Sequence, residues 1–447
     1  MDPSDLAWIL AAFALVSLMF PGLSFLYGGM IGGHQVLNTF MMVMGSLAVT
    51  AVVYVLYGHG LVMGNSLGGL GIIGNPLEYA GFRSVMEDDG AGGMMWAGFY
   101  ILFAAISLAL AASGAIGRMK FGAWLIFGVL WLTFVYSPLA HWVFAFDDEE
   151  AGIVGGWMVN VLGFHDFAGG TAIHMNAGAT GLALALVLGP RHNTSMRPHN
   201  LPLTLLGAGL IMVGWFGFNG GTAGGANFLA SYVVVTSLLA AAGGMLGFVV
   251  VERIRYGHST LLGLATGIIA GLVAVTPAAD AVSPIGALLT GFLGAAVAAW
   301  AITWKRKHRI DDTVDVFAVH GMAGIAGVFY VMLLGDASAP AGIAGVLRGG
   351  DASLLWREPL AVLVTIVYAF TVTWIIATLM KKTMGIRIEP NAEDSGIDRS
   401  EHAESAYQLS PNGQEFASRK NPEHSIPAEF PDGTSPREEH TPENRKA

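Results

Sequence analysis

The chain has 447 residues, of which 54% are hydrophobic and only 12% charged, with a formal net charge of −10. A charged fraction near half the roughly 25% of soluble proteins excludes a soluble multidomain chain, whose surface would be left apolar, and the acidic balance gives no support to nucleic-acid binding. With no cysteine, disulfides, thiolate metal sites and cysteine nucleophiles are ruled out.

Apolar runs begin near the first residue. The opening MDPSDLAW has no basic n-region, so it reads as the start of a first helix rather than a signal peptide. Runs of about 20 residues, the length that spans a ~30 Å hydrocarbon core, then recur. They predict eleven transmembrane helices in the lipid bilayer, near 5–29, 38–62, 93–116, 121–144, 164–189, 201–220, 227–251, 259–278, 281–304, 316–335 and 359–382. The predicted fold class is an all-α polytopic membrane protein.

Loop charge tests the count. One set of connections, with the segment after the last span, carries Arg118, Lys120, Arg191, Arg197, Arg253, Arg255, Lys305, Arg306, Lys307, Arg309, Lys381, Lys382 and Arg387. The other set carries Arg83, Arg348 and Arg357 beside acidic runs such as Glu87-Asp88-Asp89 and Asp147-Asp148-Glu149-Glu150. Thirteen basic residues against three place the N-terminus outside and the C-terminus in the cytoplasm. From Glu389 the chain turns polar. Residues 389–408 are expected to form an ordered cytoplasmic segment and 409–447 a disordered tail.

Two segments echo each other. His174 in span five and His320 in span ten are each followed by Gly at the fourth and seventh positions. A carboxylate, Asp166 or Asp312, lies eight residues before each histidine. Five spans of separation reverse the direction through the membrane, as in transporters built from inverted repeats. The halves would cover about 5–190 and 201–336 of a transmembrane domain at 1–388, with the last helix outside the repeat.

An ionisable side chain deep in a membrane span costs about 2.5–3.5 kcal/mol when charged, so the two histidines call for a reason. Each has a glycine four residues on, on the same helix face, where a second helix can come close. If the halves meet there, the imidazoles share a proton and act as acceptor, donor or relay; the alternative is two separately bonded core histidines. Asp166 reads either as a helix cap or as a cation-attracting group near the outer mouth. Aromatic residues in FAAIS (from Phe103), YSPLAHWVFAF (Phe144 within it) and WFGFNGGT (Trp215, Phe218 and Thr222) form either an interfacial belt or an outer vestibule that holds a small cation on ring faces. There is no HExxH, Walker loop or GxSxG, so an enzyme, a metal centre and a bound cofactor are not expected.

Together, PGLSFLYGGM, DFAGGTAIHMNAG, WFGFNGG, DDTVDVFAVHG and GIDRSEHAESAY resemble the ammonium transporter (Amt/Mep/Rh) family, in order and from about residue 5 to 407. The resemblance implies a homotrimer in the plasma membrane with one conduction path per subunit. By position it implies twin pore histidines at His174 and His320, a phenylalanine gate at Phe103 and Phe218, and an outer ammonium site of Phe144, Trp215 and Thr222 supported by Asp166. Many bacterial members have Trp at the Phe144 position and Ser at the Thr222 position. The tail motif favours the Amt branch and implies a PII-type regulatory protein at the cytoplasmic face. The expected function is electrogenic uptake, in which ammonium is deprotonated, ammonia crosses an apolar pore and the proton is relayed separately. The rivals are an electroneutral Rh-like ammonia channel and an ammonium sensor that signals through its tail.

Overall fold

Ten helices long and apolar enough to cross a membrane dominate the computed structural model, which describes residues 1–87, 92–192 and 197–407. Asp88, Asp89 and the tail expected to be disordered at 409–447 lie outside the described residues. In chain order the helices are α1 (Pro3–Met30), α2 (Val36–Met63), α3 (Gly93–Gly114), α4 (Phe121–Phe144), α5 (Gly170–Leu188), α6 (Leu201–Thr222) and α7 (Phe228–Tyr256). A shorter apolar helix α8 (Leu261–Val275) follows, then α9 (Pro284–Lys307), α10 (Phe317–Leu334) and α11 (Leu354–Thr383). Among the described residues the only strand-type pairings are three isolated bridges.

Each of the eleven predicted runs therefore has a helix, and the differences in extent have local causes. α8 has 15 residues, about 22 Å at 1.5 Å per residue, and is too short to span by itself. Pro277 has no N–H to donate to Val273, and the chain continues in turns to Ser283. α5 starts at Gly170 because Asp166 stays outside the helix as its cap. α11 starts five residues before the predicted Pro359, since Arg357 and Glu358 lower the local hydropathy yet sit well in helical turns. α1 breaks at Leu18, where Pro21 cannot donate to Ser17.

Polarity is reversed relative to a soluble protein. Val52, Leu56, Leu246 and Leu363 are exposed, while Asn38, Ser46, Thr50, Ser107, Thr180, Asn219 and both His174 and His320 are buried. Such an arrangement suits a hydrocarbon solvent outside and polar partners within. Small residues let the helices touch backbone to backbone: a Cβ on Gly244 of α7 would stand 2.8 Å from the Gly271 Cα of α8.

The basic residues of one set of connections work as ties. Arg118 is wholly buried and donates to the carbonyls of Gly189 (2.7 Å), Gly114 (2.8 Å) and Asp311 (2.6 Å). Arg191 pairs with the Asp311 carboxylate at 2.8 Å. Burial alone would raise the Asp311 pKa, but Arg191 and Arg118 hold it below the usual carboxylate value. This depressed folded-state pKa contributes stability above the unfolded value, and that stability is lost as pH falls below about 4. Arg118→Ala leaves three carbonyls, one buried and two part-buried, without this donor. It is expected to destabilise the protein by about 3–5 kcal/mol, read as a lower melting temperature of the detergent-purified protein; an unchanged melting temperature would contradict the tie.

Residues 389–406 pack on the same end. Two short helices, α12 (Pro390–Ser395) and α13 (Ile397–His402), follow α11. Asp398 accepts from the backbone N–H groups of Leu37 (3.0 Å) and Asn38 (2.8 Å) at the start of α2. Glu401 accepts from the Phe121 N–H at 2.9 Å, and Glu393 accepts from the His192 N–H at 2.7 Å. Asp398 and Glu401 thus satisfy orphan donors at helix starts, and Glu393 holds the loop after α5.

Candidate functional site

His174 and His320 meet in the interior. Their Nδ1 atoms are 3.2 Å apart, and they are 1% and 3% exposed. Each lies in a π-helical turn that opens its helix, Gly170–Met175 in α5 and Phe317–Met322 in α10. Such turns widen the helix by one residue and often occur at functional positions. The glycines after the histidines permit the approach. A Cβ on Gly178 would stand 2.6 Å from the Gly321 Cα, and one on Gly324 would stand 3.3 Å from Met175.

The two preceding carboxylates are placed alike. Asp166 accepts from the N–H groups of Gly169 (3.0 Å), Gly170 (2.6 Å) and Thr171 (2.8 Å) and from the Thr171 hydroxyl (2.5 Å). Asp312 accepts from the Phe317 N–H at 2.9 Å and from the Ser113 hydroxyl. Each carboxylate caps the helix that carries a histidine. With both oxygens of Asp166 occupied, its action on a cation is through its field.

An Nδ1–Nδ1 contact needs one protonated and one unprotonated nitrogen, so the pair shares a proton at this bridge. The Nε2 of His174 is buried with no hydrogen-bond partner among the described residues. Beside the pair lies a slender cavity lined by Leu23, Leu26, Ile106, Ile211, Trp215 and His320, among others. About 10 Å³ of it is open to the centre of a water-sized molecule, room for roughly one water.

Phe103 of α3 and Phe218 of α6 stack above the pair, with ring centroids 4.1 Å apart and planes at 20°. The Phe218 ring is 6.1 Å from that of His174. Phe144, at the end of α4, lies 6.3 Å from Phe103. Thr222 is half-buried one turn beyond Phe218, and its hydroxyl donates to the Phe218 carbonyl at 2.8 Å, leaving the oxygen free to accept.

Trp215 corrects the sequence expectation. It does not join Phe144 and Thr222 in an outer group. It stacks on His174 at 5.1 Å and 23°, donates to the Thr276 hydroxyl at 2.9 Å and lines the cavity beside His320. The reason is helical rise: seven residues separate Trp215 from Thr222, about 10 Å along α6.

Sequence reasoning missed two neighbours. Tyr100 lies 6.2 Å from both Phe103 and Phe144; its position three residues before Phe103, on one helix face, was a usable signal. Thr276 lies past the end of α8 and gave no signal of its own.

Comparison with known proteins gives the family. The model of the Ammonium Transporter Family matches residues 7–407. An ammonium transporter of Corynebacterium glutamicum is 72% identical over 432 residues, covering 96% of each chain. The ammonium transporter Amt1 of Archaeoglobus fulgidus is 38% identical over 91% of this chain and all of its own length. The crystal structure of Saccharomyces cerevisiae Mep2 superposes with a TM-score of 0.79 at 31% identity, covering 88% of both chains. A structure described as a sensor Amt protein gives a TM-score of 0.80 at 25% identity, covering 89% of this chain and 97% of its own. With paired histidines under stacked phenylalanines and a family match over nearly all the described residues, this multi-pass helical chain belongs to the ammonium transporter family.

Proposed function

We propose that this chain takes up ammonium by separating it into ammonia and a proton. The observation that carries this reading is the 3.2 Å contact between the Nδ1 atoms of His174 and His320, beside an apolar cavity and under two stacked rings. Ammonium arrives hydrated and gathers at Phe144 and Thr222, in the field of Asp166. Entry into the cavity would strip its water and leave mainly aliphatic neighbours, a costly state for a charged species. The N–H bond therefore breaks before entry, its proton passing to water at the mouth. Neutral ammonia, close to water in size, passes Phe103 and Phe218 when their rings part. It then runs beside Trp215 and the histidine pair, with imidazole nitrogen as its polar partner. The released proton crosses separately, handed along the shared His174–His320 bridge, and rejoins ammonia on the far side.

The inverted repeat, eleven crossings with the N-terminus outside, and a plasma-membrane location belong to the same reading. The like capping by Asp166 and Asp312 supports it, as does the gathering of Arg118, Arg191 and the 389–406 segment at one end. A homotrimer and a PII-type partner at that end complete it. The Corynebacterium glutamicum relative at 72% identity is named a transporter, which favours transport over sensing.

The test is an ammonium pulse applied to proteoliposomes on a supported membrane. It is expected to give an inward positive current that an equal potassium pulse does not. Ammonia entry without current would favour the electroneutral rival.

A further inference from the structure

The histidine pair leaves one buried carboxylate without a task. Glu358, in the second turn of α11, is 2% exposed, and its Oε1 has no hydrogen-bond partner among the described residues. The charged groups that act on it are His165, Arg357 and Asp166. The His165 Nε2 is 2.9 Å from Asp280, while Arg357 is 3.6 Å from Asp351. Four carboxylates, Asp166, Asp280, Asp351 and Glu358, thus share one guanidinium and one imidazole. With all of them ionised, Glu358 would be a buried charge lacking full compensation, which is expensive; a proton on it removes that cost.

Two further features give the cluster access and consequence. A surface cavity of about 360 Å³, lined by His165, Gly163, Arg357, Asp351 and residues 342–344, brings solution to His165 and to Arg357, the residue before Glu358. In the other direction His165 adjoins Asp166, whose cap reaches the aromatic group: a Cβ on Gly169 would stand 3.0 Å from Phe144. Burial alone would lower the His165 pKa, but Asp280 raises it above the usual histidine value, so His165 stays cationic to a higher pH than a free imidazole.

We propose that Glu358, His165 and Asp280 form a proton-exchange site, loaded from the outer solution through its own cavity, that sets the field at the ammonium-gathering mouth. In the loading step hydronium gives its proton to the Glu358 carboxylate, forming one O–H bond and leaving water. The loaded site has one negative charge fewer, so cation gathering weakens as outside pH falls. This inference rests on the conduction reading for its sidedness and its link to ammonium.

The full-length protein in lipid discs, without ammonium, is stepped through pH while the infrared C=O stretch of protonated carboxyls is followed. A titrating band present in the wild type and in Glu358→Asp, and missing in Glu358→Gln, is expected. In transport, the wild-type apparent KM for methylammonium rises about two- to tenfold as outside pH falls, the size of one charge felt across about 10 Å. Glu358→Gln holds the high, loaded KM at every pH with kcat unchanged. A band that persists in Glu358→Gln, or a wild-type KM profile in that variant, would overturn the site. The band needs no transport, so it is judged apart from the conduction reading.

Discussion

Replacing either His174 or His320 by alanine is expected to lower ammonium-driven current by about 100-fold or more, the size of losing a positioned proton-transfer group. The bridge is the reason. Each Nδ1 has the other as its recorded partner, so one truncation removes the shared proton and leaves the remaining imidazole without its donor or acceptor. The two positions act as a unit, and the double variant should be little worse than either single one. Solid-supported membrane recordings check this, with melting temperatures as a folding control. Full, ammonium-selective current through both single variants would contradict the relay.

Asp166→Ala is expected to cost about 2–4 kcal/mol of stability, above the ~1 kcal/mol of an ordinary cap. The carboxylate accepts three backbone N–H groups and a hydroxyl, and alanine supplies none of these. The loss falls on the first turn of α5, which carries His174 a few residues later, so transport falls with stability. Asp166→Asn keeps one acceptor oxygen and should lie between the two. The thermal melt of the purified protein decides. A wild-type melting temperature in Asp166→Ala, with only KM altered, would mean that the carboxylate meets the cation directly.

Much of this arrangement was legible in the sequence because the forces involved are local or periodic. The apolar runs marked every long helix, since a lipid-facing helix must be apolar over its whole length. The common phase of His174 and His320 with their glycines marked the meeting point, because close helix approach demands a small residue at a fixed offset. What stayed hidden depends on partners distant in sequence. The π-helical turns at 170–175 and 317–322 add one residue to a helix without a change in composition. Trp215 went to the wrong group because the motif around it spans two turns, and motif membership carries no depth. Glu358 was passed over because the predicted span began at Pro359, one residue later; His165, which acts on its charge, lies nearly two hundred residues earlier in the chain.

The most direct test counts charge and nitrogen together. In one preparation of proteoliposomes, labelled methylammonium uptake and transported charge are measured under the same gradient. Separation of ammonia from its proton followed by transfer of both predicts one positive charge per methylammonium in the wild type and no charge from potassium. Uptake with no accompanying charge, or a potassium current of similar size, would contradict it.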